Sequence, residues 1–150
     1  MKVLKIILLV VLLALLGIQF IPTTRNQIDI VPSTDLMEVY NVPEQVEIIF
    51  KTSCYDCHSN NTYYPWYNKI QPASWMIQNH IKKGKAELNF NEFGSYSERK
   101  RKSKFKSILS QVKDGEMPLA SYTWIQRDAK LSENEKKAIE DWINKMLEDL

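Results

Sequence analysis

The 150-residue chain is poor in the side chains that most enzyme sites draw on, with only two cysteines and two histidines. It has no glycine-rich nucleotide-binding motif, no nucleophile triad and no paired carboxylate setting. Nucleotide chemistry of that kind, and nucleophilic or two-carboxylate catalysis, therefore have no residues to carry them. Acidic residues are absent from positions 1–21, while all 18 acidic and 18 of the 20 basic residues follow, leaving that part close to neutral. This excludes the sustained basic field that a nucleic-acid partner requires. No internal repeat or low-complexity tract divides the chain, and its length past position 21 suits one domain. Nothing in it reads as a strand, so an all-α fold is expected.

Positions 1–21 stand apart. Lys2 and Lys5 precede an unbroken apolar run from Ile6 to Ile18, extended by Phe20 and Ile21 and ended by Pro22. Such a run fits a signal-peptide core or a short transmembrane helix. The bulky stretch Leu15-Leu16-Gly17-Ile18-Gln19-Phe20 offers no small-x-small cleavage site, and no cysteine follows Gly17 for lipoprotein processing. An uncleaved single-pass anchor is the expectation, with Lys2 and Lys5 cytoplasmic and the remainder in the periplasm at the inner membrane. Residues 22–42, with Pro22 and Pro32 among many polar residues, read as a tether. Residues 43–150 are the expected folded domain.

Both cysteines and one histidine fall in a single pentapeptide, Cys54-Tyr55-Asp56-Cys57-His58. For a random placement that coincidence is on the order of one in several thousand. C-x-x-C-H is the pattern through which c-type haem is attached: two thiols become thioethers, and the following imidazole is aimed at the iron. Structural zinc would need a fourth ligand, for which only His80 offers itself. A redox dithiol expects a βαβ setting that is missing, and a disulfide across so short a loop would constrain little. Export agrees with haem attachment, because thiols left free on that side of the membrane oxidise.

Four helices are predicted in the domain. One runs from about Pro43 to Lys51, with Val46, Ile49 and Phe50 as its stripe. Pro72 opens a second that ends near Gly84, with Trp75, Met76, Ile77, His80 and Ile81 as its apolar side. A third begins at Ser97, with Phe105, Ile108, Leu109 and Val112 on one face and basic residues from Arg99 to Lys106 on the other. That basic face reads as solvated, or as a dock for an acidic redox partner or anionic lipid. The last opens on the capping box Ser132-x-x-Glu135 and carries Ile139, Trp142 and Ile143, for which the first stripe is the natural mate. The aromatic run Tyr63-Tyr64-Pro65-Trp66-Tyr67 is expected in the core or on a haem-pocket wall.

Asp114-Gly115-Glu116-Met117-Pro118 lies between the third and fourth helices. Gly115 permits a turn and Pro118 stiffens the chain behind the methionine, so Met117 can stand opposite His58 as distal ligand. Met/His coordination raises a haem's reduction potential. Met76 and His80, one turn apart on the second helix, are the competing ligands.

The order of these pieces resembles class I cytochromes c. A closer resemblance is to the bacterial haem-binding domain family of small anchored proteins. It is carried by Cys54-Tyr55-Asp56-Cys57-His58-Ser59-Asn60-Asn61-Thr62, Tyr64-Pro65-Trp66-Tyr67, Pro72-x-Ser74-Trp75, Glu87-Leu88-Asn89-Phe90 and Gly115-Glu116-Met117-Pro118-x-x-x-Tyr122. The resemblance spans roughly residues 40–148. It implies a cytochrome c-like helical domain around one covalent haem c, held by Cys54, Cys57 and His58. The chain departs from many cytochromes in the long insertion from Trp75 to Phe93 between the two ligands. It departs from the haem-binding domain family in Gln126-Arg127, where that family often has His-Pro. The expected function is electron transfer with a redox partner protein, not catalysis. The alternative is a five-coordinate haem that senses a gas or reacts with peroxide, with His80 as its acid/base group.

Overall fold

The structure is a computed structural model that describes residues 1–150. It is all-helical, with no strand and one isolated antiparallel bridge between Gln27 and Asn61. The all-α expectation holds. Helix α1 (Lys2–Gly17) continues as a 3-10 turn over Ile18–Phe20. Lys2–Phe20 is long and apolar enough to cross a membrane, and no part of it is buried against the rest of the chain.

Residues 22–42 lie along the domain and do not lead away from it. The Asn26 side chain donates to the Ser59 carbonyl at 2.8 Å and to Thr62 Oγ1 at 2.9 Å. The bridge adds Ile28 N–H to Asn60 O at 3.0 Å and Thr62 N–H to Asn26 O at 2.9 Å. Asp35 caps the short helix α2 (Leu36–Val39), and both Asp35 and Leu36 are buried. Proline and polar residues here signal the lack of a long helix, not a lack of packing. Asx side chains satisfy the backbone where no ladder can.

The core forms where three stripes meet. Helix α3 (Glu44–Ser53) buries Val46, Ile49 and Phe50, and Pro43 caps it. Helix α6 (Glu98–Lys113) buries Phe105, Ile108 and Val112, and α8 (Glu133–Glu148) buries Ile139, Trp142 and Ile143. Spacings of three and four set each trio on one face. Helix α8 packs against both α3 and α6. Phe50 and Phe105 each meet the Trp142 ring edge-on at 5.7 Å. Such pairs are worth about 1 kcal/mol beyond the area they bury. The predicted mating of first and last stripes is observed, and so is the capping box. Ser132 Oγ accepts from Glu135 N–H at 3.3 Å, while Glu135 Oε2 accepts from Ser132 N–H at 2.7 Å.

Helix α4 (Tyr55–His58) follows α3 directly, and α5 (Ala73–Glu87) and α7 (Ala120–Thr123) complete the set. Two expectations need correction. Helix α5 runs on beyond Gly84, and its buried positions are Ser74 and Ile81, leaving Trp75 and Met76 exposed. Tyr63 and Trp66 are exposed too, neither core nor cavity wall. Polar pairing decides this end of α5: Ser74 Oγ meets Thr23 Oγ1 at 3.0 Å, and Gln71 N–H donates to Gln19 Oε1 at 2.9 Å.

Candidate functional site

Cys54 closes α3 and opens α4, at φ −125° and ψ −42°. Its carbonyl accepts from both Cys57 N–H (3.2 Å) and His58 N–H (3.0 Å), which folds the pentapeptide into one tight turn. Both thiols are free. Helix α5 presses on this turn through Gly84, where a Cβ would stand 2.7 Å from the Cys57 carbonyl oxygen. Glycine is required there by contact, since no real Cβ approaches a backbone atom so closely. Burial pushes the Cys54 thiol up to about 12, with Cys57 adding to the effect. Burial likewise raises Cys57 to about 11, with help from Asp56. Both are protonated at neutral pH.

The imidazole of His58 is oriented from α5's end. Its Nδ1 lies 3.0 Å from the Leu88 carbonyl oxygen. A carbonyl can only accept, so Nδ1 carries the hydrogen and Nε2 keeps its lone pair. Burial lowers the pKa of His58, which favours that neutral form. A ring held through one nitrogen, with the other free, is the usual posture of a metal-binding histidine.

A cavity of about 310 Å³ opens beside the turn. Cys54 and His58 form one part of its wall, Leu88 and Phe90 another, Ile108 and Val112 of α6 a third, and Met117 and Pro118 close it. Lys104, Ser107 and Gln111 supply polar groups, and Glu87 stands 3.9 Å from Lys104. The structure thus brings Met117 to the same cavity as Cys54 and His58. Cys57, Met76 and His80 are not on its wall. Gly115 turns the Met117 loop at φ +71°, in the left-handed region that glycine tolerates. The Glu116 and Met117 N–H groups then return to the Gln111 carbonyl, at 3.0 and 3.1 Å.

Sequence reasoning missed Leu88 and Phe90 as parts of the site. Both lie inside the Trp75–Phe93 insertion, which supplies a wall and the His58 partner. It also missed the bond from Tyr122 to Asp56, whose ends are far apart in sequence.

Fold and site together define a small helical domain with a largely apolar, cofactor-sized cavity walled by thiol, imidazole and thioether donors. The family model of the haem-binding domain matches residues 13–145, and the chain belongs to that family. Comparison with curated proteins and with solved structures gave no match. Haem is therefore the group this domain binds, and the residues present fit it. A neutral imidazole with a free Nε2, sulfur donors and apolar walls suit iron in a porphyrin.

Proposed function

We propose that the protein carries electrons through one haem c linked to Cys54 and Cys57, with His58 and Met117 as axial ligands. The haem would supply the one-electron couple, and the chain's own residues set its terms. Cys54 and Cys57 fasten the group through thioethers. His58 offers Nε2, aimed by the bond from Nδ1 to Leu88. Met117 offers its sulfur from a loop pinned to α6, and Ile108, Val112 and Phe90 keep water from the ring. A Met/His pair gives a higher potential than a bis-His pair. Helix α1 would anchor the protein in the inner membrane with the haem domain in the periplasm, beside a redox partner protein.

The observation that carries this reading is the sharing of one cavity by Cys54, His58 and Met117. A gas sensor or peroxide-reactive haem needs an acid/base group over an open iron, and His80, the candidate for it, is away from the cavity wall. The test is the absorption spectrum of the full chain produced in cells that attach c-type haem. A low-spin spectrum with a weak ferric methionine–iron charge-transfer band is expected. A high-spin spectrum would overturn the Met117 assignment, and haem extracted by acidified organic solvent would overturn the thioethers.

A further inference from the structure

The end of α1 is fastened to the domain, not hinged to it. Gln19 clasps Gln71 at two points: Gln71 N–H donates to Gln19 Oε1 at 2.9 Å, and Gln19 Nε2 donates to the Gln71 carbonyl at 3.2 Å. Gln71 Nε2 reaches the Ile21 carbonyl at 3.4 Å, and Thr23 Oγ1 meets Ser74 Oγ at 3.0 Å. Wherever α1 leaves the bilayer, the Ile70–Met76 segment must stand at the bilayer surface.

That segment is unusually apolar on its outside. Trp66 is 74% exposed, Met76 58%, Ile70 48% and Trp75 37%, and Phe20 at the end of α1 is 87% exposed. The 3-10 turn Trp66–Lys69 packs against α5, so these side chains cluster around one place. Large apolar side chains gathered on a surface mark an interaction site, and tryptophan in particular favours the headgroup layer of a membrane. The exposed Lys69 beside them suits lipid phosphates.

We propose that the face formed by Trp66, Ile70, Trp75 and Met76 is seated in the headgroup layer of the bilayer that α1 enters, docking the haem domain on lipid in one orientation. This rests on the reading of α1 as a membrane span. The occupant is lipid because the clasp between Gln19 and Gln71 leaves the face no other neighbour at that depth.

The full haem-loaded chain in phosphatidylcholine/phosphatidylglycerol vesicles tests it. Four variants, Ile70→Cys, Met76→Cys, Leu12→Cys and Glu140→Cys, are nitroxide-labelled beside the parent chain, whose own labelling is subtracted. Accessibility to oxygen, which concentrates in lipid, is compared with accessibility to a nickel chelate, which stays in water. Labels at positions 70 and 76 are expected to favour oxygen several-fold, as at position 12, and the label at position 140 on α8 to favour nickel. Labels at 70 and 76 in water, with position 12 in lipid, would overturn the docking while leaving the anchor intact. A watery label at position 12 would overturn the anchor, and the docking with it. Lipid contact at position 140 as well would overturn the assignment of this face.

Discussion

Tyr122 donates a hydrogen bond of 2.7 Å to Asp56 Oδ2, joining the chain that follows Met117 to the middle of the Cys54–His58 turn. Asp56 Oδ1 accepts in addition from Tyr63 N–H at 2.9 Å. Burial raises the Asp56 pKa, and these two bonds oppose the rise. Tyr122 is raised in turn by burial and by the neighbouring Asp56. The pair thus braces the two sides of the cavity that bear His58 and Met117.

Tyr122→Phe removes the brace while keeping the ring. A hydrogen bond to a half-buried carboxylate of this kind is worth about 1–2 kcal/mol. The urea midpoint is expected to fall accordingly, and the methionine–iron band to weaken or broaden. An unaltered midpoint together with an unaltered band would remove Tyr122 from any positioning role.

If Met117 ligates the iron as proposed, Met117→Ala is expected to lower the reduction potential and let carbon monoxide bind the ferrous form. Met76→Ala and His80→Ala should leave both properties as they were. Potentiometry and a carbon monoxide difference spectrum decide among the three positions. Carbon monoxide binding in the parent chain would show that no side chain fills that place.

The thiols give a dependence on alkali. Their ordinary value is 9.0, and folding raises them to about 12 and about 11. As pH climbs past 9 the unfolded chain loses these protons first, so the folded state loses stability between about pH 9 and the folded values. Each thiol contributes up to about 1.4 kcal/mol per pH unit in that window and nothing below it. Thioethers carry no such proton, so haem attachment should abolish this component. Urea unfolding at pH 8 and pH 10, with and without haem, reads the difference; equal alkaline loss in both would mean that the sulfurs remain thiols.

Gly84→Ala would push a Cβ to 2.7 Å from the Cys57 carbonyl oxygen, a backbone atom that cannot swing aside. Helix α5 must shift off the turn, at a cost of about 1–3 kcal/mol as in other overpacked contacts. Haem attachment per chain should drop along with the thermal midpoint. Gly17→Ala, with nothing within 4 Å of the added carbon, is the matched control and should change neither.

What could be read in advance was what depends on neighbours in sequence. The capping box and the three-and-four spacing of α8 are local, as is the turn of Cys54–His58, and each stands where the sequence puts it. The Met117 loop was legible because Gly115 and Pro118 constrain it from within. The outer face of α5 was misread because its periodicity promised burial of Trp75 and Met76, while Gln71 and Ser74 were claimed by Gln19 and Thr23 from the segment after α1. Pairings across some fifty positions leave no periodic trace. The same holds for Leu88, whose part in the site is a carbonyl, a group every residue possesses.

Phe90 belongs to two assemblies at once. It stacks on Tyr55 at 5.0 Å, meets Phe50 edge-on at 5.4 Å and His58 at 6.0 Å, and it is the one aromatic core residue that also lines the cavity. Phe93, Phe105 and Trp142 lie wholly on the other side of that division, in the core and off the cavity wall. Damage to those rings should therefore show as scarcity of the protein, and damage to Met117 as pale protein in normal amounts. Among the aromatic residues, only at Phe90 do yield and colour share a single side chain.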